Sequence, residues 1–411
     1  MAGKTKTLRV ISGNVQAGKL IKEAQFSFQY SDSARSSDAV SLVMPVSGET
    51  LTRNSLHPVF EMNLPEGYLR QRIIERFRKH AKVDDMFFLA LQGSASIGRL
   101  GFESEDIERA SVESLSLREL VSTDDPAMFE KLVDRYIAQT TIAGVQPKVL
   151  VPENTEPKSI VNLPNLIVKT SGPEFPDLSI NEFICMSIAR QAGLEVPDFF
   201  LSENQRLFIM RRFDIANDDR RIGMEDVCVL MGARADQKYD RSYEQVAKAI
   251  KIFSNRPNSD LEAFFRSLCV SVLVGNGDAH LKNFALLYDD PSTGKGWLSP
   301  AYDIVNTTVY QEGDTLALKL SRTKDFPNRR TMTRFGQEHC NLTEKMARKI
   351  IDQCIEAVLW GIEYFSELAD AVEFDGRTLR AELDHGVCRL MTPEEKQKIW
   401  KGEVRKPKRV R

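Results

Sequence analysis

Asp278-Ala-His-Leu-Lys-Asn283, followed beyond a turn-rich segment by Pro300-Ala-Tyr-Asp303, decides how this chain is read. An Asp, an Asn five residues on and a second Asp after a turn form the polar set of a phosphoryl-transfer site. The first Asp suits acceptance of a proton from an attacking hydroxyl. The Asn and the second Asp suit a magnesium ion held against nucleotide phosphates. Taken alone, Asp278 after Gly275-Asn-Gly277 also reads as a turn residue, a place where Asp and Asn are common. The turn reading leaves His280, Lys282, Asn283 and Asp303 unexplained, all gathered around one predicted hairpin. Its strands are Phe284–Tyr288 and Trp297–Leu298, and Asp289–Gly296 is the turn.

Working outward, the spacing matches the D-x-x-x-x-N part of the protein-kinase catalytic loop. Lys169 ends an otherwise apolar strand, Leu166–Thr170, where a lysine either snorkels to solvent or meets phosphates. Glu182 follows early in a helix and is placed either to pair with Lys169 or to favour the helix dipole. That helix carries Ile180, Phe183, Ile184 and Ile188 on one face and stops at Gly193. Thr141–Lys148 lies between helix and strand, where a phosphate-covering loop belongs, but its single glycine makes it neither a Walker A nor a G-x-G-x-x-G loop. Gly93-Ser-Ala-Ser-Ile-Gly98-Arg99 has Walker-like glycine spacing without the required Lys and Ser/Thr, and is set aside. A two-metal phosphoesterase would need further upstream Asp and His ligands, and only His57 and His80 stand upstream, outside any such cluster. Zinc-type Cys/His spacing and a Gly-x-Ser-x-Gly elbow are both absent.

Composition permits this chemistry and narrows the rest. The 411 residues suffice for two or three units, and 42% hydrophobic and 28% charged content with net charge −2 describes a soluble globular protein. That balance gives no overall reason to expect nucleic-acid or membrane binding, and no apolar run has bilayer-spanning length. Six scattered cysteines without a C-x-x-C pair fit a reduced, cytoplasmic protein. The basic segment Val404–Arg411 reads as a solvated tail. Residues 1–105 read as α/β, with strands at Leu8–Ile11, Phe26–Tyr30 and Val40–Met44 and a helix at Gly67–His80. Residues 106–228 form the next unit, opening with a helix after Asp125-Pro126 and strand-rich from Thr140, with Val149–Val151, Leu166–Lys169, Leu207–Met210 and Gly223–Val229 as strands. Residues 229–411 are mainly helical, and Ser259 with Glu262 fits a capping box before Gly275. The fold expected is α+β and two-lobed, with a ligand cleft between the lobes.

Several motifs in order resemble the HipA serine/threonine kinase toxins of bacterial toxin–antitoxin systems, across nearly the whole chain. Phe28-Gln-Tyr30, Ala39–Pro45 and Asn63-Leu-Pro-Glu-Gly67 resemble that family's small N-terminal subdomain. Thr141–Lys148 resembles its phosphate loop, Arg212-Phe-Asp214 a strand of its N-lobe, Glu225-Asp-Val-Cys228 its hinge, and Gly275–Asn283 with Ser299–Ile304 its catalytic and metal loops. The resemblance implies a protein-kinase-like fold, an ATP and magnesium requirement, and roles by position. Asp278 is then the base, and Asn283 and Asp303 are the magnesium ligands. Ala143, Gly144, Val145, Gln146, Lys148, Lys169, His280 and Lys282 are on the nucleotide, and Glu225 and Val227 present hinge groups to adenine. Glu182 pairs with Lys169. Thr141, with Thr140 beside it, stands where the family has an autophosphorylated serine. The implied partners are a protein substrate, an aminoacyl-tRNA synthetase in family members, and a helix-turn-helix antitoxin of the HipB type that supplies the DNA contacts. A nucleotide-binding regulatory partner of such an antitoxin, with little kinase activity, is the alternative from another class.

Overall fold

The computed structural model describes residues 5–105, 107, 113–137, 142, 146–154, 164–216 and 218–400. In the N-terminal unit, β1 (Thr7–Ser12), β2 (Val15–Lys22), β3 (Phe26–Tyr30), β4 (Leu51–Arg53) and β5 (Leu100–Glu103) form an antiparallel sheet ordered β4-β3-β2-β1-β5. Along β1, Leu8, Val10 and Ser12 are buried and alternate with more exposed residues, the period of two of a half-buried strand. Gly13, at φ +63°, opens the two-residue turn that sets Ser12 opposite Val15. The helix Asp85–Gln92, buried from Met86 onward, packs on β1 and β5. Phe60 joins this core to Phe28 and Phe102 by tilted and edge-on ring contacts. Val40–Met44, expected as a strand, has only an isolated bridge between Ser41 and Met44. Its apolar pattern suits a strand, but Ser41 and Leu42 are bonded to the Glu225 carboxylate instead of a neighbouring strand.

A second antiparallel sheet holds β6 (Lys148–Val151), β7 (Leu166–Thr170), β8 (Phe199–Leu201) and β9 (Leu207–Arg211) in the order β6-β7-β9-β8. Its inner strands β7 and β9 are buried at four of five positions each, hence their unbroken apolar runs. The helix Leu178–Gln191 lies against them. β10 (Gly223–Asp226) pairs with β11 (Ala285–Tyr288), which pairs with β12 (Trp297–Leu298). The strand expected to run to Val229 stops at Asp226, whose carboxylate accepts the Val229 N–H and opens the short helix Val227–Leu230.

The second half is mostly helical. Pro257–Val274 is its central helix, packed by Tyr243–Phe253, Glu344–Tyr364 and Leu379–Leu390. Gly386 permits the closest approach, since a Cβ there would stand 1.7 Å from the Leu273 carbonyl oxygen. The capping box expected at Ser259 and Glu262 is absent because the helix opens three residues earlier, with Arg256 at the cap position and Pro257 as its first residue. Asp260 is buried and accepts from Ser254 Oγ at 2.6 Å and the Leu298 N–H at 2.8 Å, tying the helix to β12. The architecture is thus mixed α/β. No described helix is long and apolar enough to cross a membrane.

Candidate functional site

The second sheet, the β10–β12 sheet and the start of the helix Gly67–Phe77 surround a cavity of about 780 Å³. Its floor begins where Pro257–Val274 ends. Gly275, at φ +70°, turns the chain, and a Cβ there would meet Thr308 Oγ1 at 2.7 Å. The Asp278 N–H donates to Asn276 Oδ1 at 3.0 Å, and a single helical turn, Leu281–Asn283, follows. Asn283 Oδ1 accepts the His280 N–H at 2.9 Å, which fixes the amide so that its Nδ2 donates to Asp303 Oδ2 at 3.0 Å. Asp303 holds φ +58°, a strained conformation for a side-chain-bearing residue and one concentrated at functional sites.

From Asp303 the chain of contacts crosses to the second sheet. Lys169 Nζ donates to Asp303 Oδ1 and to Glu182 Oε1, both at 2.6 Å. Burial alone pulls the Lys169 amine down, but the two carboxylates raise it and hold it charged. Burial alone raises Asp303, but Lys169 and Lys148 hold it well below the usual carboxylate range. Glu182 is fully enclosed, and burial pushes it up. One lysine therefore serves two carboxylates, the fully enclosed Glu182 and the more exposed Asp303. Lys148 stands opposite Lys169 in the β6–β7 register, and burial lowers its amine.

Asp278 opens onto the cavity and accepts from the Tyr239 hydroxyl at 2.6 Å. The enclosing protein raises its carboxyl, Tyr239 lowers it and Asp303 adds to the rise. His280 is buried, its Nδ1 has no hydrogen-bond partner among the described residues, and burial with Lys238 nearby lowers the ring to about 3, so it is neutral at pH 7. Lys282 Nζ donates to Glu66 Oε1 at 2.6 Å.

The structure thus links Lys169, Glu182, Asn283 and Asp303 directly and sets Asp278, His280, Lys282, Lys148 and Gln146 on the same cavity. The hinge pair, Glu225 and Val227, is not on the lining of this cavity. The Glu225 carboxylate is turned away, accepting from Ser41 Oγ at 2.7 Å and the Leu42 N–H at 2.8 Å, and the Val227 N–H donates to the Phe284 carbonyl. Alternation along β10 points Met224 and Asp226 into the cavity instead. Thr140, Thr141, Ala143, Gly144 and Val145 lie outside the described residues. Glu66, Lys238 and Tyr239 were not read as site residues. Glu66 stands within the Asn63–Gly67 motif, while Lys238 and Tyr239 carried no local signal.

Glu66 also defines a pH dependence. Burial raises it, but Lys282 and Lys238 hold it down at about 2 against an ordinary 4.5. Its contribution to stability is complete above pH 4.5 and lost as pH falls through 2. Urea titrations should therefore show the gap between wild type and Glu66→Gln shrinking across that window.

Residues 140–360 match the HipA-like C-terminal domain and residues 8–103 the HipA N-terminal domain. Together with the mixed α/β fold, this defines the class: the chain belongs to the HipA family. It is 34% identical over 206 residues to "Putative kinase Y4dM" of Sinorhizobium fredii, covering 45% of this chain and 49% of that one. It is 32% identical over 187 residues to a "Putative kinase" of Haemophilus influenzae, covering 42% and 54%. The chain thus spans about half the length of these curated relatives. Its fold matches HipA of Shewanella oneidensis MR-1, solved with HipB and operator DNA, at a TM-score of 0.68 and 19% identity over 93% of this chain and 95% of that one.

Proposed function

We propose that this chain is an ATP- and magnesium-dependent serine/threonine protein kinase of the HipA type, acting as a growth-inhibiting toxin. In this reading the second sheet is the N-lobe, the helical half is the C-lobe, and the cavity between them takes the nucleotide. The observation that carries it is the hydrogen-bonded series Glu182–Lys169–Asp303–Asn283 on the wall of the cavity onto which Asp278 opens. It contains the strand lysine, helix glutamate, metal-loop aspartate and catalytic-loop asparagine that phosphoryl transfer from a nucleotide uses.

The donor set fits magnesium. Asp303 and Asn283 are directly hydrogen-bonded, the Asp303 carboxylate offers oxygens, and the Asn283 amide oxygen keeps a lone pair beyond the one that accepts the His280 N–H. No group of three or more His, Cys, Asp or Glu suited to a metal exists among the described residues. That suits an ion whose remaining ligands are phosphate and water oxygens. The apolar Ile97, Ile167, Met210 and Met224 on the same cavity suit a flat base. Bound magnesium-ATP supplies the phosphoryl group and neutralises part of its charge. Lys169, pinned by Glu182, faces the phosphates, neutral His280 offers an orphan ring nitrogen, and Asp278 takes the proton of the acceptor hydroxyl.

The acceptor is a protein, with aminoacyl-tRNA synthetases as the class to examine first. The partner is a HipB-type antitoxin, which supplies the contacts to DNA. The test is incubation with labelled ATP and magnesium in lysate and mapping of phosphosites by mass spectrometry. Label on a serine or threonine is expected, and an unlabelled lysate with unlabelled protein would refute the reading. Self-labelling is expected at Thr141 or Thr140. A phosphate there adds roughly −1.5 to −2 charges beside the ATP phosphates. Quantitatively phosphorylated protein should therefore bind ATP at least about tenfold more weakly, which calorimetry would read directly.

A further inference from the structure

We infer that Glu66, supplied by the N-terminal unit, is a positioning residue that holds Lys282 and Lys238 in place on the phosphate-facing floor of the cavity. The inference rests on the kinase reading and adds a part of the site that comes from outside both lobes.

Glu66 occupies the N-cap position of the helix Gly67–Phe77, yet its side chain caps nothing. A residue there ordinarily satisfies the first N–H groups of its own helix. This one crosses to the opposite wall, where Oε1 accepts from Lys282 Nζ at 2.6 Å and Oε2 from Lys238 Nζ at 3.3 Å. All three side chains are largely buried, at 24%, 11% and 13% exposure for Glu66, Lys282 and Lys238. A flexible four-carbon stem gives a lysine no preferred direction, so an anchored anion is what aims it.

The two lysines stand where aim matters. Lys282 lies between His280 and Asn283, and its carbonyl accepts from the Tyr302 hydroxyl at 2.7 Å, next to Asp303. The Lys238 carbonyl accepts the Leu281 N–H at 3.2 Å, and the next residue, Tyr239, bonds Asp278. One carboxylate thus fixes both flanks of the catalytic loop and separates two ammonium groups that would otherwise repel. The N-terminal unit does not need this contact in order to dock. Glu225 holds Ser41 and Leu42, and Arg212, Asp214 and Arg221 hold the 95–100 segment. Glu66 is therefore set by a rigid junction and free to position its partners.

The test uses the full chain. Amine acetylation read by mass spectrometry on nucleotide-free protein reports the pinning directly. Lys282 should label several-fold faster in Glu66→Gln than in wild type. Magnesium-ATP turnover by Glu66→Gln should fall about tenfold, the scale expected when an oriented group is misplaced. In a Lys282→Ala background the same substitution should cost less than it does in wild type, because Lys282 is one of the two lysines through which Glu66 acts. Glu66→Asp, which keeps the charge and retracts it, should fall between. Equal Lys282 labelling in wild type and Glu66→Gln, or a loss that adds in full to that of Lys282→Ala, would overturn the assignment. A wild type that transfers no phosphate would instead overturn the kinase reading beneath it.

Discussion

Asp278→Asn is expected to retain the fold and nucleotide affinity while transferring phosphate about 10³-fold more slowly, within the range for loss of a general base. That factor corresponds to about 4 kcal/mol of transition-state stabilisation. The substitution is close to isosteric. The amide oxygen still accepts the Tyr239 hydroxyl, and the main-chain N–H still donates to Asn276, so the loop keeps its course. Asp278 also stands outside the Glu182–Lys169–Asp303–Asn283 series, so the residues proposed to hold the ion are untouched. What disappears is the oxygen able to take a proton. Because the enclosing protein raises this carboxyl, and a base acts only when ionised, the acid limb of the wild-type pH–rate profile should lie above the ordinary carboxylate value of 3.8. Single-turnover transfer beside calorimetric ATP binding checks both parts. Transfer at the wild-type rate would remove Asp278 from the chemistry, and lost ATP binding would reassign it to the nucleotide.

How much of this was legible beforehand follows from how local each contact is. Asp278, Asn283 and Asp303 are joined by one loop and one hairpin, so sequence spacing carries their geometry. Lys169 and Glu182 lie on a strand and the helix after it, and an apolar strand makes its one lysine conspicuous. Glu225 sits in a recognisable strand end, but which way its carboxylate points depends on Ser41 and Leu42, remote in sequence. The Val40–Met44 pattern misled for the same reason, since strand propensity does not reveal whether a partner strand is present. Glu66, Lys238 and Tyr239 reach the site only through tertiary packing; nothing near Lys238 and Tyr239 in sequence marks them, and the Asn63–Gly67 motif around Glu66 does not reveal what its side chain touches. Glu66 had a further disguise, because an acidic residue ahead of a helix is explained well enough by its cap position.

Arg212→Ala is expected to destabilise the chain by about 3–5 kcal/mol, the cost of breaking a buried ion pair from one side. The Arg212 side chain is 1% exposed and that of Asp214 3%. Its guanidinium donates to both Asp214 oxygens and to the carbonyls of Ala95, Ser96 and Pro164. Truncation would strand the carbonyls of Ala95 and Pro164, since that of Ser96 still accepts from Arg221, and would leave the Asp214 carboxylate, among the described residues, with the Gly98 N–H at 2.6 Å. Arg212→Lys keeps the charge but not the planar fork, so it should recover only part of the loss. Arg212→Leu combined with Asp214→Leu should cost less than Arg212→Ala, because no lone carboxylate remains buried. Urea unfolding of the three variants orders them, and a double variant worse than the single one would show that the pair contributes net stability. The Gly93–Arg99 segment, whose glycines imitate a phosphate loop, is held by its backbone groups to Arg212, Asp214 and Arg221 and so is structural. The same junction delivers Ile97 and Glu66 to the cavity. Loss of Arg212 should therefore weaken ATP binding as well as stability, even though the ring of charged groups around Asp303 is left intact.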